Sequence, residues 1–522
     1  MSRAPALDPA VAPLAGPDLV GRPAAGLRHR AVRTWPALGV PDYRRFFAGQ
    51  LVSVAGTWMQ AVAQAWLVLQ LTDSGLWLGA VTAAQALPVL VVGAWAGVVA
   101  DRVDKRVLLI RLQVVAGLLA LLLGLATLTG VVELWMVLVL AVGLGLVNAF
   151  DVPARQALVP ELVGDDLVAR ALGLNSVIVH GARLVGPLLA AAVIATAGLA
   201  ACFLLNAASY LAAVIALSGM AHRHRGVAPA ADDPGAGLRS GLRAVAGEPA
   251  LLVPLLVMAV VGTLTYEFQV TLPLVARFVH GTGPEGYSLL LSAMSVGAVL
   301  GGAVAASRNR ASHRGVARRA VVLGVLVLAV AAAPSLWLTV VLLPFVGAAS
   351  VAFLTGANAT LQASAPPGLR GRVMALYAVA FLGTTPVGGP LVGALAAVAG
   401  PRAALAVGGA AAVLAGAVAW PALRRAGEAS GTDRAAAPAV PRPAPPTPVP
   451  SGAHGEPRRA PTRDREAVHR PRSHRGGRRP RGDRRRRVGA PGLAAVPVRG
   501  AGALGSRGRA LRHRSPAADP GR

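Results

Sequence analysis

Two residues with a full charge stand where lipid should be. Arg183 lies near the middle of the apolar run 169–195, and Glu267 lies inside the apolar run 251–275. An arginine facing hydrocarbon at that depth costs at least about 2.5–3.5 kcal/mol, so it is expected to face a cavity or a carboxylate. A carboxylate so placed binds a proton with an affinity that depends on how near a cation stands. Such a pair could couple proton uptake to a change of shape. Ser176, His180, Arg183 and Pro187 fall on one helical stripe, and Thr263 and Thr271 flank Glu267 at four residues on either side. Thr57, Gln60 and Gln64 form a stripe in the first apolar run, and Thr355, Asn358 and Gln362 one in the tenth. Asn148 and Asp151 close the fourth. These stripes read either as cavity walls or as hydrogen-bonding glue between helices. Glu267, Asp151 and His180 are the titratable groups among them, which makes protons the expected coupling ion.

Other chemistry finds no footing. The chain lacks a Gly-x-x-x-x-Gly-Lys-Ser/Thr phosphate loop, a Cys/His ligand cluster and a nucleophile paired with a base. No enzyme activity, cofactor or metal is therefore expected. Cys202 is alone, so no intramolecular disulfide can form.

The elements that must hold these groups follow from composition. The chain has 522 residues, 54% hydrophobic and 14% charged, with a mean hydropathy of +0.58. That is too apolar for a water-soluble protein and long enough for a dozen membrane helices of about 20 residues plus tails. Twelve spans are expected, at 46–70, 77–99, 107–129, 133–152, 169–195, 199–219, 251–275, 286–306, 318–333, 336–359, 372–398 and 402–421. Residues 1–41, rich in Ala, Pro and Arg, are expected to be disordered and do not resemble a signal peptide. The first span is then the insertion signal. With the N-terminus inside, 17 basic residues fall in cytoplasmic loops and only two, Arg277 and Arg402, in outer ones. That asymmetry predicts a multi-pass protein of the plasma or inner membrane with both termini cytoplasmic.

The densest loop charges follow the second span, in Gly97-Val-Val-Ala-Asp-Arg-Val-Asp-Lys-Arg106. Asp101 can pair there with Arg102, Lys105 or Arg106, or face the positive end of a neighbouring helix. Gly93 and Gly97, four apart, predict a close helix approach. Parts of the chain recur. Gly56-Thr57 returns as Gly262-Thr263, and Gly93-Ala94-x-x-Gly97 as Gly297-Ala298-x-x-Gly301. Gln156-Ala-x-x-Pro160 returns as Gln362-Ala-x-x-Pro366, and the Gly186-Pro187 pair as Gly389-Pro390. Their offsets of 203 to 206 residues predict a six-helix unit duplicated in parallel orientation, 42–219 and 251–423, joined by the polar segment 220–250.

Gly-x-x-x-Asp-Arg-x-x-x-Arg at 97–106 resembles the signature loop of the major facilitator superfamily. Gly56-Thr-Trp-Met-Gln60, Pro153-Ala-Arg-Gln-Ala157 with Pro160-Glu-Leu162, and Pro366-Pro-Gly-Leu-Arg-Gly-Arg372 resemble its enterobactin-exporter and macrolide-efflux branch. The resemblance covers about residues 42–423. It implies an all-α membrane fold of twelve helices in two parallel-repeat halves. It also implies a cytoplasmic gate at Gly97, Asp101, Arg102, Lys105 and Arg106, to which Asp151 and Arg155 are assigned because they flank Pro153. In the second half Ala305 stands where the repeat would place an aspartate.

The expected function is proton antiport of a hydrophobic or amphiphilic small molecule outward by alternating access. Glu267, Arg183, His180, Gln60, Gln64 and Asn358 would face the cavity. A siderophore exporter of the same fold is the alternative, and a non-transporting scaffold that uses its basic tail is the alternative from another class. That tail, 424–522, holds 24 arginines and 7 acids and is expected to stay disordered. Its densest part, 478–487, suits anionic lipid headgroups. Nucleic acid is not expected, because no aromatic residue after Trp420 interleaves with the arginines. The chain is expected to act as a monomer.

Overall fold

The computed structural model describes residues 35–221, 243, 245–308 and 311–430, and every regular element among them is a helix. The tail 1–34, most of the 220–250 connection and the basic tail with its expected lipid contact lie outside the described residues. The first helices are α1 (Pro41–Thr72), α2 (Gly75–Arg102), α3 (Lys105–Leu128), α4 (Leu134–Val163) and α5 (Val168–Ser218). Then come α6 (Pro249–Leu264), α7 (Phe268–Leu274), α8 (Pro284–Arg308) and α9 (His313–Ala331). The last are α10 (Leu336–Ser364), α11 (Arg370–Leu382), α12 (Thr385–Ala399) and α13 (Pro401–Ser430). Among the described residues, ten helical segments are long and apolar enough to cross a membrane. Their outer faces are apolar: Val398 and Val418 are 90% and 77% exposed, as suits side chains solvated by lipid.

Three helices are interrupted. At 51 residues α5 would run about 76 Å if straight, more than twice the ~30 Å hydrocarbon core. It bends at Gly198, whose φ of 80° and ψ of 177° only glycine adopts readily. This is the junction expected between the runs 169–195 and 199–219. The other two breaks fall inside the expected spans 251–275 and 372–398, each of which remains one membrane-crossing segment, Pro249–Val279 and Arg370–Ala399. Between α6 and α7 the backbone leaves the helix, with Glu267 at φ −80° and ψ 47°. Thr265 donates its hydroxyl to the Gly408 carbonyl of α13 at 2.7 Å. The Tyr266 ring packs edge-on against Phe381 and Phe268, at 4.9 and 5.6 Å. These partners lie more than a hundred residues away or across the break, so hydropathy could not announce it. Between α11 and α12 the break falls at Gly383-Thr384, ahead of Pro386 in the first turn of α12. Proline disfavours helix in the residue before it, so this break had a local signal.

The helical boundaries also move outward. The first helix begins at Pro41, after a short 3-10 turn whose Ala37 is buried. The last continues to Ser430, with Leu423 buried and Arg314 ion-paired to Glu428, so the folded part does not end at 423.

Glycines set where helices touch. A methyl on Gly56 of α1 would fall 2.5 Å from Asn206 Oδ1 of α5, and one on Gly409 of α13 2.8 Å from the Gly324 carbonyl of α9. Gly75 of α2 lies against Gly393 of α12, where a methyl would come within 2.8 Å of the carbonyl. Gly93 and Gly97, expected at such a contact, are not in one: a methyl on Gly97 meets nothing within 4 Å, and one on Gly93 only its own helix's Val89. Small residues permit close approach without compelling it, and α2 makes its tight contacts nearer its middle and at its other end.

Candidate functional site

Among the described residues, two cavities carry polar walls that bear on the expected site. The first, of about 420 Å³, lies among α1, α3, α4 and α5, and its polar lining includes Ser53, Thr57, Gln113, Asn148, Asp151, Arg155 and Tyr210. Asp151, 4% exposed, accepts from Gln113 Nε2 at 3.0 Å and forms an ion pair with Arg155 one turn along α4. Ser53 donates to Gln113 at 3.4 Å, and Thr57 and Tyr210 share a hydrogen bond of 3.2 Å. The carboxylate is thus already neutralised and hydrogen-bonded, a closed network inside one bundle. No residue of 97–106 lines this cavity.

The second cavity, of about 390 Å³, brings together Thr82 of α2, His180 and Arg183 of α5, Gly262 of α6 and Tyr266, Glu267, Phe268 and Gln269 around the break. Val351, Leu354 and Thr355 of α10 close it with Phe381 and Thr385 from either side of the second break. Arg183 and Glu267, distant in sequence, therefore face one space. Helix periodicity places His180 and Arg183 on the same wall, as the stripe requires. The Arg183 guanidinium stacks over Trp58 at 5.1 Å, which favours a cation on the electron-rich ring face. Its Nε and the His180 Nδ1 are buried without a partner. Arg183 is anchored through its backbone instead, the carbonyl accepting from Ser295 Oγ of α8 at 3.1 Å. Glu267 is 4% exposed and forms no ion pair among the described residues. Its carboxylate lies over the start of α12, where a methyl on Gly388 would come 2.9 Å from Oε1.

Other expected members stand elsewhere. Gln60 is buried and accepts from Asn206 Nδ2 at 2.7 Å, and Gln64 is buried too; neither lines either cavity. Asn358 accepts from Gln362 at 2.6 Å along its own helix, so of that stripe only Thr355 reaches the second cavity. Sequence reading missed Tyr266, Phe268, Phe381 and Thr385; only Phe381 and Thr385 stood beside a local signal, the Gly383-Thr-Thr-Pro386 stretch.

The charged loop is differently built from the expectation. Asp101 and Arg102 are exposed, and Asp101 makes no ion pair or hydrogen bond among the described residues. Lys105 is buried and pairs with Glu161 of α4 at 2.8 Å. Arg106 donates to the Leu217 and Ser218 carbonyls at 2.8 and 2.6 Å, a cation closing the C-terminal end of α5. Asp104 caps α3 by accepting from the Val107 amide at 3.0 Å. The basic residues staple the first bundle to itself and leave Asp101 uncommitted. At the opposite end of α2, Arg277 of the turn after α7 forms an ion pair with Asp73 and lies 5.7 Å over Trp66.

The sequence model of the family described as transmembrane secretion effector matches residues 32–444. The multidrug efflux pump Tap of Mycolicibacterium fortuitum is 29% identical over 368 residues, 68% of this chain and 88% of Tap. The staphyloferrin A transporter of Staphylococcus aureus is 28% identical over 172 residues, 33% of this chain; the match spans only 43% of that relative's length. Among solved structures, a bacterial homologue of the human lysosomal transporter Spinster superposes with a TM-score of 0.57 at 17% identity, covering 77% of this chain and 99% of that one. A bacterial homologue of the iron transporter ferroportin gives 0.57 at 16% identity, covering 73% and 98%.

Proposed function

This chain belongs to the transmembrane secretion effector family, an efflux branch of the major facilitator superfamily, and from that premise we propose that it exports an amphiphilic small molecule in exchange for protons. The observation that carries this is the second cavity, lined both by Arg183 of α5 and by the buried carboxylate Glu267, at a helix break, from a distant part of the chain. Gly198 is taken as the turn between the fifth and sixth spans and α9 as the ninth, which makes the ten long segments twelve. The segments 42–219 and 251–423 are then the two repeated halves, with both termini cytoplasmic. Discontinuous helices that meet at a central site allow one half to rock on the other while the site stays in place. Each side of the membrane is reached in turn. Glu267 takes the proton, and Arg183 moves towards or away from it as the halves rock. The Tap relative supports an efflux direction.

The test is transport by the full chain in proteoliposomes loaded with a fluorescent amphiphilic dye under an imposed pH gradient. Glu267→Gln should lose accumulation against a gradient while downhill exchange persists. A Glu267→Gln protein that pumps uphill at the normal rate would remove the carboxylate from coupling and pass the role to Asp151 or His180.

A further inference from the structure

The second cavity presents two opposite charges, and neither forms an ion pair among the described residues; Glu267 is hydrogen-bonded only to the neutral Thr385 side chain of the same wall. On the α5 wall the Arg183 guanidinium stacks over the Trp58 face, with its Nε and the neighbouring His180 Nδ1 buried and unbonded. On the wall at the α6–α7 break stands Glu267, almost fully buried and without a cation in ion-pair range. Tyr266, Phe268, Phe381, Val351 and Leu354 supply the apolar surface of the same space. His180, Arg183, Tyr266 and Glu267 are the titratable groups facing it from every element that lines it.

A charge at membrane depth needs compensation, and a planar guanidinium with an unbonded Nε donor is best compensated by a carboxylate or similar planar anion. A neutral apolar cargo would leave both charges uncompensated. A purely cationic cargo would suit Glu267 and be repelled by Arg183; a purely anionic one would face the reverse. We infer that the cargo is amphoteric: an aromatic or similarly apolar body with an acidic group for Arg183 and His180 at one end and a basic nitrogen for Glu267 at the other. This deepens the transport reading and rests on it. It also accounts for exchange, since the cargo's ammonium and a proton would compete for one carboxylate. A cavity of about 390 Å³ accommodates a small molecule of this type.

The test uses a fluorescent probe whose two charges can be removed one at a time. Ciprofloxacin carries a carboxylate and a piperazinium on one aromatic body; its methyl ester keeps only the cation and its N-acetyl form only the anion. Equilibrium binding to the purified full chain should favour the zwitterion at least about tenfold over either singly charged form. Arg183→Gln should erase the advantage over the methyl ester, whose own binding persists and strengthens as the repelling cation is removed. Glu267→Gln should erase the advantage over the N-acetyl form, whose own binding likewise persists and strengthens. This crossed pattern cannot come from misfolding, because each variant must still bind the probe that lacks the matching charge. Equal binding of the three probes, no binding of the zwitterion, or loss of all three probes in both variants would overturn the inference. Proteoliposomes separate the two readings: the crossed pattern without transport would overturn the transport reading alone, and uphill transport of a neutral dye without the pattern the inference alone.

Discussion

At Gly301 the backbone of α8 runs so close to α10 that a methyl would fall 2.5 Å from the Ala348 Cα, and Gly297 packs as tightly on Pro344. At Gly97, which occupies the same place in the repeated Gly-Ala-x-x-Gly pattern on α2, a methyl would meet nothing within 4 Å. The two copies differ in what comes to meet them. α8 and α10 are neighbours within one part of the chain and form a fixed, glycine-spaced pair. α2 meets its own neighbour α4 nearer its middle, where Gly145 packs on the Gln85 carbonyl, and uses Gly75 and Gly79 at its far end against Gly393 and Gly389 of α12. One copy of the pattern has become structural cement. The other is left open beside Asp101, which is exposed and forms no ion pair among the described residues.

The largest test of that difference is steric. Gly297→Val drives a branched side chain into the Pro344 backbone and should destabilise the purified protein by about 3 kcal/mol, read as a lowered melting temperature in detergent. Gly97→Val should change it by less than about 0.5 kcal/mol. Equal losses would mean that both copies pack alike and the contrast is wrong.

Next comes the buried staple beside the open copy. Lys105→Met should cost about 2 kcal/mol by removing the buried cation that faces Glu161. Glu161 keeps 13% exposure, and the water that admits holds the loss below that of a sealed pair. An unchanged melting temperature would show that the loop residues do not brace the first bundle.

Asp101→Asn separates packing from movement. Because Asp101 is exposed and unpaired, melting should not change, but transport in proteoliposomes should fall about tenfold, some ~1.4 kcal/mol, if the carboxylate seats on the second half in another state. Normal transport would leave the open end without a gating role. The smallest effect is expected at the closed end of α2. Asp73→Asn keeps a residue that tolerates the φ of 49° found there and removes the charge facing Arg277. Asp73 is 64% exposed, so the loss should be near 0.5 kcal/mol. A loss of several kcal/mol would make this ion pair, and not the glycine contact, the main clamp at that end.

Some of the site was legible from spacing alone. His180 and Arg183 share a wall because three residues along a helix is nearly one turn, whatever surrounds it. Gln60 and Asn358 were placed by the same arithmetic and do not reach the cavity, because periodicity defines a face without saying which neighbour covers it. Gln60's face is covered by Asn206.

The sequence by itself determined which segments are helical and membrane-compatible, how deep Arg183 and Glu267 lie, and that a junction between spans falls at Gly198. Those properties are local: the free energy of moving a side chain into hydrocarbon and the backbone freedom of Gly and Pro are set residue by residue. Only the tertiary structure decided that Glu267 stands at a helix break, that Arg183 shares its cavity without pairing to it, and which glycine pair carries a contact. Each of these depends on partners from distant segments, the Gly408 carbonyl, the Phe381 ring and the Pro344 backbone among them. No local free energy encodes which of many apolar helices will arrive to supply them.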